Sequence, residues 1–209
     1  TDVTFGYATA VQIATNAIDR LATTAEAHNR VMVVEVMGRT KGWIAVGAGI
    51  AGGADGILIP EFPYDIDDVA ETIRRRHRRG QRYSIIVVAE GIPPPQGQPP
   101  IEHRKDAFGF DRLGGVAYRV AEALEDRTGF ETRVTVLGHT QRGGTPIASD
   151  RVLATRLGAG AADMAVEGLT DVMVALRSTE IVPVPLEAAT ASVRGVPLEL
   201  YETAQTFFG

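Results

Sequence analysis

Run 133–146, RVTVLGHTQRGGTP, is an apolar stretch that empties into a loop holding one histidine, one arginine and two adjacent glycines. That chemistry suits a phosphate. Gly143 and Gly144 let backbone approach an anion closely, and Arg142 offers a planar fork of donors matched to phosphate oxygens. His139, Thr140 and Gln141 add further polar groups. Thr145-Pro146 reads as a helix N-cap followed by a first-turn proline. A helix starting there would aim its free amides and positive dipole end at the same anion. An ordinary strand–turn–helix corner, with a solvated Arg142 and a structural His139, would have the same composition.

Two other segments share this character. The apolar run 31–36 ends in Met37-Gly38-Arg39, and run 84–89 ends in Glu90-Gly91. In open α/β sheets ligands bind beyond the carboxyl ends of parallel strands. If these strands are parallel, one sheet edge gathers Arg39, Glu90, His139 and Arg142. Such a set fits a phosphorylated sugar, with cations for the phosphate and a carboxylate to accept hydroxyl hydrogen bonds. Singly, Glu90 could be a helix-cap partner and Arg39 a surface ion-pair donor.

The elements that must hold these residues follow from periodicity. Val11, Ala14, Ile18, Leu21 and Ala25 recur at helical spacing and predict an amphipathic helix over 7–27. Short β-branched runs predict strands at 31–36, 57–59, 84–89, 132–137 and 172–176, alternating with helices at 43–51, 66–79, 115–127 and 147–167 and a short C-terminal helix. The Pro/Gly/Gln-rich stretch 91–100 reads as a surface loop. Alternation of this kind predicts an α/β fold, a mostly parallel sheet sandwiched by helices.

Two stretches invite other readings. Gly47–Gly52 has the spacing of a dinucleotide fingerprint, which would suit a nicotinamide-dependent oxidoreductase. That motif needs a helix starting within its glycines, whereas only Ala54-Asp55-Gly56 separates Gly53 from the next apolar run; a close-packed helix between strands fits better. Run 74–79, RRRHRR, reads as the solvated basic end of a helix capped by Asp65, with Asp67 and Asp68 in its first turn.

The chain has 209 residues, 44% hydrophobic, with a net charge of −5 and no cysteine. The charge argues against a general nucleic-acid binder. Absence of cysteine rules out disulfides and thiolate metal sites within the sequence and fits a cytoplasmic location. No apolar run approaches the ~20 residues of a membrane span, so a membrane partner is not expected.

Val34–Arg39 and the whole run Arg133–Arg156 resemble the sugar-phosphate motifs of the 6-phosphofructokinase family. The resemblance extends from Thr1–Gly6, through the helix containing Ala17–Arg20, to Ala204–Phe208, and is strongest to bacterial members that use ATP or pyrophosphate. It implies that Met37, Gly38 and Arg39 contact fructose 6-phosphate, with Arg39 also near the transferring phosphoryl group. It further implies that Glu90 binds sugar hydroxyls, that His139 and Arg142, with Thr140 and Gln141 between them, hold the 6-phosphate, and that Arg30 and Arg133 reach the site of a neighbouring subunit in a homo-oligomer.

By the same resemblance, residues 7–140 form the smaller, sugar-binding domain, 141–191 pack on a donor-binding domain, and 192–209 return to the first. The family's glycine-rich donor loop and catalytic aspartate segment match nothing here and would lie upstream of Thr1. The chain is therefore expected to be the later part of a longer glycolytic enzyme using Mg2+ with ATP or pyrophosphate, and nearly inert alone. Thr40-Lys41 departs from the family's usual residues after Arg39. It would place an extra ammonium near the phosphate zone. A non-catalytic sugar-phosphate-binding or regulatory module is the competing expectation.

Overall fold

Val31–Val36 and Ser84–Ala89 are buried at every residue, as strands covered on both faces must be. The structure, a computed structural model, describes residues 1–101, 105, 109 and 113–209. In chain order its elements are α1 (Tyr7–His28), β1 (Val31–Val36), α2 (Trp43–Ala51), β2 (Gly56–Leu58), α3 (Ile66–Arg78), β3 (Ser84–Ala89), α4 (Val116–Thr128) and β4 (Thr132–Val136). A 3-10 turn (Gly138–Arg142) follows, then α5 (Ala148–Val166), β5 (Val172–Arg177), β6 (Glu180–Pro185), α6 (Leu186–Thr190) and α7 (Leu198–Gln205). These fall into two units, residues 11–143 with 195–209, and residues 1–10 with 144–194.

The larger unit is built on a parallel sheet of strand order β2-β3-β1-β4. β1 is central, with Val31 opposite Ser84 on one side and Thr132 on the other. Ala14, Ile18 and Ala25, the apolar stripe of α1, are fully buried. The α2 glycines serve packing. A Cβ on Gly49 would lie 2.5 Å from Ile57, and one on Gly52 would lie 2.6 Å from Ile18. Gly47–Gly52 is thus helix surface pressed onto its neighbours, with no phosphate loop.

Asp65 caps α3 as its sequence suggests, its Oδ1 accepting the Asp67 amide at 2.8 Å. The basic end of α3 is less solvated than its composition implies. Arg76 turns inward to pair at 2.8 Å with Asp55, a buried carboxylate that also accepts the Ile85 amide. Burial pushes the Asp55 carboxyl up, against the pull of the Ile85 amide and of Arg76. Stretch 91–100 carries neither helix nor strand, and Tyr64 anchors it by donating its hydroxyl to the Pro93 carbonyl at 2.7 Å.

In the smaller unit, β5 departs from expectation. It pairs antiparallel with β6, Val172 opposite Pro185 and Arg177 opposite Glu180, as a separate two-stranded sheet. β6 escapes a propensity reading because Pro183 and Pro185 cannot donate to a ladder, which confines them to edges. Gly160 of α5 lets the helix settle on this hairpin, since a Cβ there would lie 2.5 Å from Ile181. Asp150, in the first turn of α5 and 4% exposed, accepts the Thr9 amide at 2.8 Å and the Thr9 hydroxyl at 2.5 Å. The same hydroxyl accepts the Ile147 amide at 3.1 Å. Among the described residues no helix is long and apolar enough to cross a membrane.

Candidate sugar-phosphate site

Because β3, β1 and β4 run parallel and adjacent, their carboxyl ends share one edge of the sheet. Backbone pairing carries past the strands, with the Glu90 amide donating to the Val36 carbonyl and the Leu137 amide to the Glu35 carbonyl, each at 3.0 Å. The three segments singled out by their chemistry therefore stand side by side. Two strand spacings, roughly 10 Å, separate the Glu90 and Gly138 backbones.

Glu90 is tied to the segment after β1. Its Oε1 accepts the amides of Gly38 at 3.2 Å and Arg39 at 2.8 Å. Its Oε2 carries no hydrogen bond among the described residues. Arg39 stands at φ +57°, a left-handed conformation uncommon outside glycine, and Glu90 fastens the turn that holds it there. Two glycines are sterically required. A Cβ on Gly91 would lie 1.9 Å from the Arg39 carbonyl oxygen, and one on Gly38 would lie 2.3 Å from that of Lys41. Met37 is half-buried beside them and Arg39 is exposed.

After β4 the chain turns at Gly138, φ +48°, into the 3-10 turn. Thr140 donates its hydroxyl to the Leu137 carbonyl at 2.6 Å, so it caps the turn. Gln141 is 3% exposed; its Nε2 donates to the Gly138 carbonyl at 3.3 Å while its Oε1 is buried without a partner among the described residues. Thr140 and Gln141 thus spend polar groups on the turn itself. Flanking them, His139 and Arg142 are exposed and make no hydrogen bond or ion pair among the described residues. Two cationic-capable side chains are presented outward from a turn that their neighbours brace.

Thr145-Pro146 does not start a helix. α5 begins at Ala148 with Ile147 at its N-cap and no side-chain cap. Asp150 already supplies negative charge in its first turn, where the dipole favours it.

Arg30 and Arg133 lie elsewhere. Arg30 precedes β1 and Arg133 is the second residue of β4, so both sit toward the amino edge of the sheet. Six residues of β1, roughly 20 Å, separate that edge from Gly38. Both arginines pair with Glu131, Arg30 Nε at 2.8 Å from Oε2 and Arg133 Nη2 on Oε1. The Lys41 ammonium lies 3.6 Å from the Cβ position of Gly195, as does Glu61 Oε1. That carboxylate also accepts the amides of Gly42 and Val196.

A phosphofructokinase family model matches residues 1–165. The chain belongs to the phosphofructokinase family. It is 56% identical over 210 residues to a pyrophosphate–fructose 6-phosphate 1-phosphotransferase of Amycolatopsis methanolica, covering 100% of this chain and 61% of the relative. To an ATP-dependent 6-phosphofructokinase of Corynebacterium efficiens it is 50% identical, with the same coverage of 100% and 61%. The chain thus spans about three fifths of the length of these relatives. Among solved structures, the phosphofructokinase of Pichia pastoris in the T-state matches with TM-score 0.75 and 34% identity over 99% of this chain and 22% of that one. The Saccharomyces cerevisiae phosphofructokinase matches with TM-score 0.71 and 37% identity over 95% and 24%. The α/β fold of this family member agrees with its sequence reading.

Sequence reading missed Glu131 and Glu35. Glu131 had a signal, since it stands two residues before Arg133, on the same face of an extended strand. Glu35, 2% exposed inside the apolar run of β1, accepts the amides of Gly115 and Ala117 at 2.9 Å. It neutralises the start of α4 from within the sheet.

Proposed function

We propose that the complete protein is a 6-phosphofructokinase, transferring a phosphoryl group to O1 of fructose 6-phosphate, and that this chain supplies the sugar-phosphate site. The observation that carries this reading is the grip of Glu90 on Gly38 and Arg39, one strand away from the His139–Arg142 turn on a shared sheet edge. In this reading the 6-phosphate binds His139 and Arg142. Sugar hydroxyls bind the unused Oε2 of Glu90, Met37 and Gly38 contact the hexose, and Arg39 orients the phosphoryl group in transfer. Thr140 and Gln141 serve by bracing the turn.

Arg30 and Arg133, a strand's length from that edge, serve the phosphate in the site of a neighbouring copy, so the protein acts as a homo-oligomer. The unit of residues 11–143 and 195–209 is the sugar-binding part, and the segment near 141–191 belongs with a donor-binding part.

The family implies Mg2+ with ATP or pyrophosphate. Among the described residues no group of three or more His, Cys, Asp or Glu could hold a metal. The residues here fit the sugar rather than the metal-bound donor, and the role assigned to this chain stops at binding fructose 6-phosphate and, through Arg39, orienting the phosphoryl group in transfer.

The test is transfer kinetics on the complete gene product with either donor. Arg142→Ala should weaken sugar-phosphate binding by about 10- to 100-fold, the loss of a charge-assisted hydrogen bond. Fructose 6-phosphate binding without transfer from ATP or pyrophosphate would sink the kinase reading and leave the binding-module one.

A further inference from the structure

Glu131 takes one arginine on each carboxylate oxygen, Arg30 through Nε on Oε2 and Arg133 through Nη2 on Oε1. The backbone makes this possible. The Val31 amide donates to the Glu131 carbonyl at 3.0 Å, which sets Arg30 beside Glu131, and Glu131 and Arg133 share a strand face. Arg30 spends only Nε in this contact, so both its terminal nitrogens remain to donate. Arg133 uses its other terminal nitrogen on the Thr132 carbonyl, at 3.3 Å. Two guanidinium groups that would repel each other are thereby bridged, and the trio keeps one net positive charge.

We infer that Glu131 is a positioning residue for substrate, its carboxylate holding Arg30 and Arg133 as one clamp for the sugar phosphate bound in a second copy of this chain. The inference rests on the assignment of those two arginines to a neighbouring site.

Two effects of the carboxylate oppose each other. Its negative charge repels an incoming phosphate, while its two contacts fix long side chains that would otherwise lose their freedom only on binding. Positioning dominates. Glu131 keeps 41% of its side chain in solvent, so water and salt weaken its repulsion beyond contact distance, whereas the contacts act at hydrogen-bond range. The Arg30 hydrogen bond and the charges of Arg133 and Arg30 hold the Glu131 carboxyl below its usual range, so the bridge stays ionised at neutral pH.

The experiment compares Glu131→Ala, Glu131→Gln and Arg133→Ala in the complete enzyme, checked for unchanged melting and oligomer size. Glu131→Ala should raise KM for fructose 6-phosphate about tenfold, with kcat and donor KM within about twofold, as expected for loss of charge-assisted contacts that orient rather than react. Glu131→Gln retains one acceptor and should fall between. Adding Glu131→Ala to Arg133→Ala should raise KM by less than the product of the two single effects, because only the hold on Arg30 is then left to lose. An unchanged or lowered KM in Glu131→Ala, or effects that multiply in the double variant, overturns the inference. If Arg133→Ala itself leaves KM unchanged, the assignment of the arginines fails, and the inference goes with it.

Discussion

Glu90 and Arg39 are joined carboxylate to amide, Glu90 Oε1 accepting the Arg39 N–H at 2.8 Å while Arg39 holds φ +57°. One oxygen of Glu90 shapes a turn on the neighbouring strand, and the other, which carries no hydrogen bond among the described residues, is the one proposed to bind a sugar hydroxyl. A residue with two jobs on two atoms permits a clean separation. Glu90→Gln can keep its oxygen on the Gly38 and Arg39 amides and lose only the second acceptor. Sugar affinity should then fall about 10-fold or more, the scale of a hydrogen bond to a charged group, with melting unchanged. Glu90→Ala should lose affinity and also loosen the turn. Equal melting losses in both variants would contradict this division of labour.

Gly91→Ala tests the same turn from its other side. The added methyl would lie 1.9 Å from the Arg39 carbonyl oxygen, a backbone atom that cannot swing aside alone. The variant should bind fructose 6-phosphate poorly even though position 91 lends no side chain to the ligand. Wild-type affinity in Gly91→Ala would show that the turn yields without consequence.

Asp150→Ala should destabilise the smaller unit with no direct effect on the sugar site. It strands the Thr9 amide and hydroxyl, groups now paired at 2.8 and 2.5 Å. Leaving buried donors unpaired costs about 1–3 kcal/mol each, visible as a lower thermal midpoint. Thr9→Val keeps the backbone contact but loses the hydroxyl bond to Asp150 and strands the Ile147 amide, so it should lower the midpoint as well. An unchanged midpoint in either variant would refute the network.

His77 gives a pH dependence of stability. Its ring stacks on Phe130, centroids 3.8 Å apart at 14°. Burial, and then the charge of Arg76, lower its pKa from 6.5. The unfolded chain therefore binds this proton at higher pH than the folded one, so folding stability rises with pH up to the unfolded value. The contribution is full above about pH 6.5 and is lost as pH falls through the lowered folded value. Urea midpoints of wild type should drop more between about pH 7.5 and pH 5 than those of His77→Gln. Ring-proton NMR showing His77 titrating above 6.5 would reverse the sign.

Local chemistry was legible wherever the residues that decide it are neighbours in sequence. Apolar runs 31–36 and 84–89 became β1 and β3, and Asp65 with Asp67 and Asp68 marked the start of α3. Clusters 37–39, 90–91 and 138–142 were recognisable as strand ends. The helix expected over 147–167 is α5, but Thr145-Pro146 is not its cap, because cap preference is a weak local signal; its start is held by Thr9, which is distant in sequence and bonds both Ile147 and Asp150. β6 was missed because two prolines mask a strand that exists only by pairing with β5.

The sequence by itself thus determined the parallel α/β architecture, the family, and the polar residues at the strand ends, because hydrophobic period and turn chemistry act over a few residues. Tertiary structure alone decided which of those residues meet. Strand order put Glu90 against Gly38 and Arg39 and set Arg30 and Arg133 on one carboxylate at the opposite edge. Strand order is the reason. Adjacency in a parallel sheet comes from crossovers between segments far apart in sequence, Val31 lying opposite Ser84 and Thr132, and no local pattern encodes which strand lies beside which.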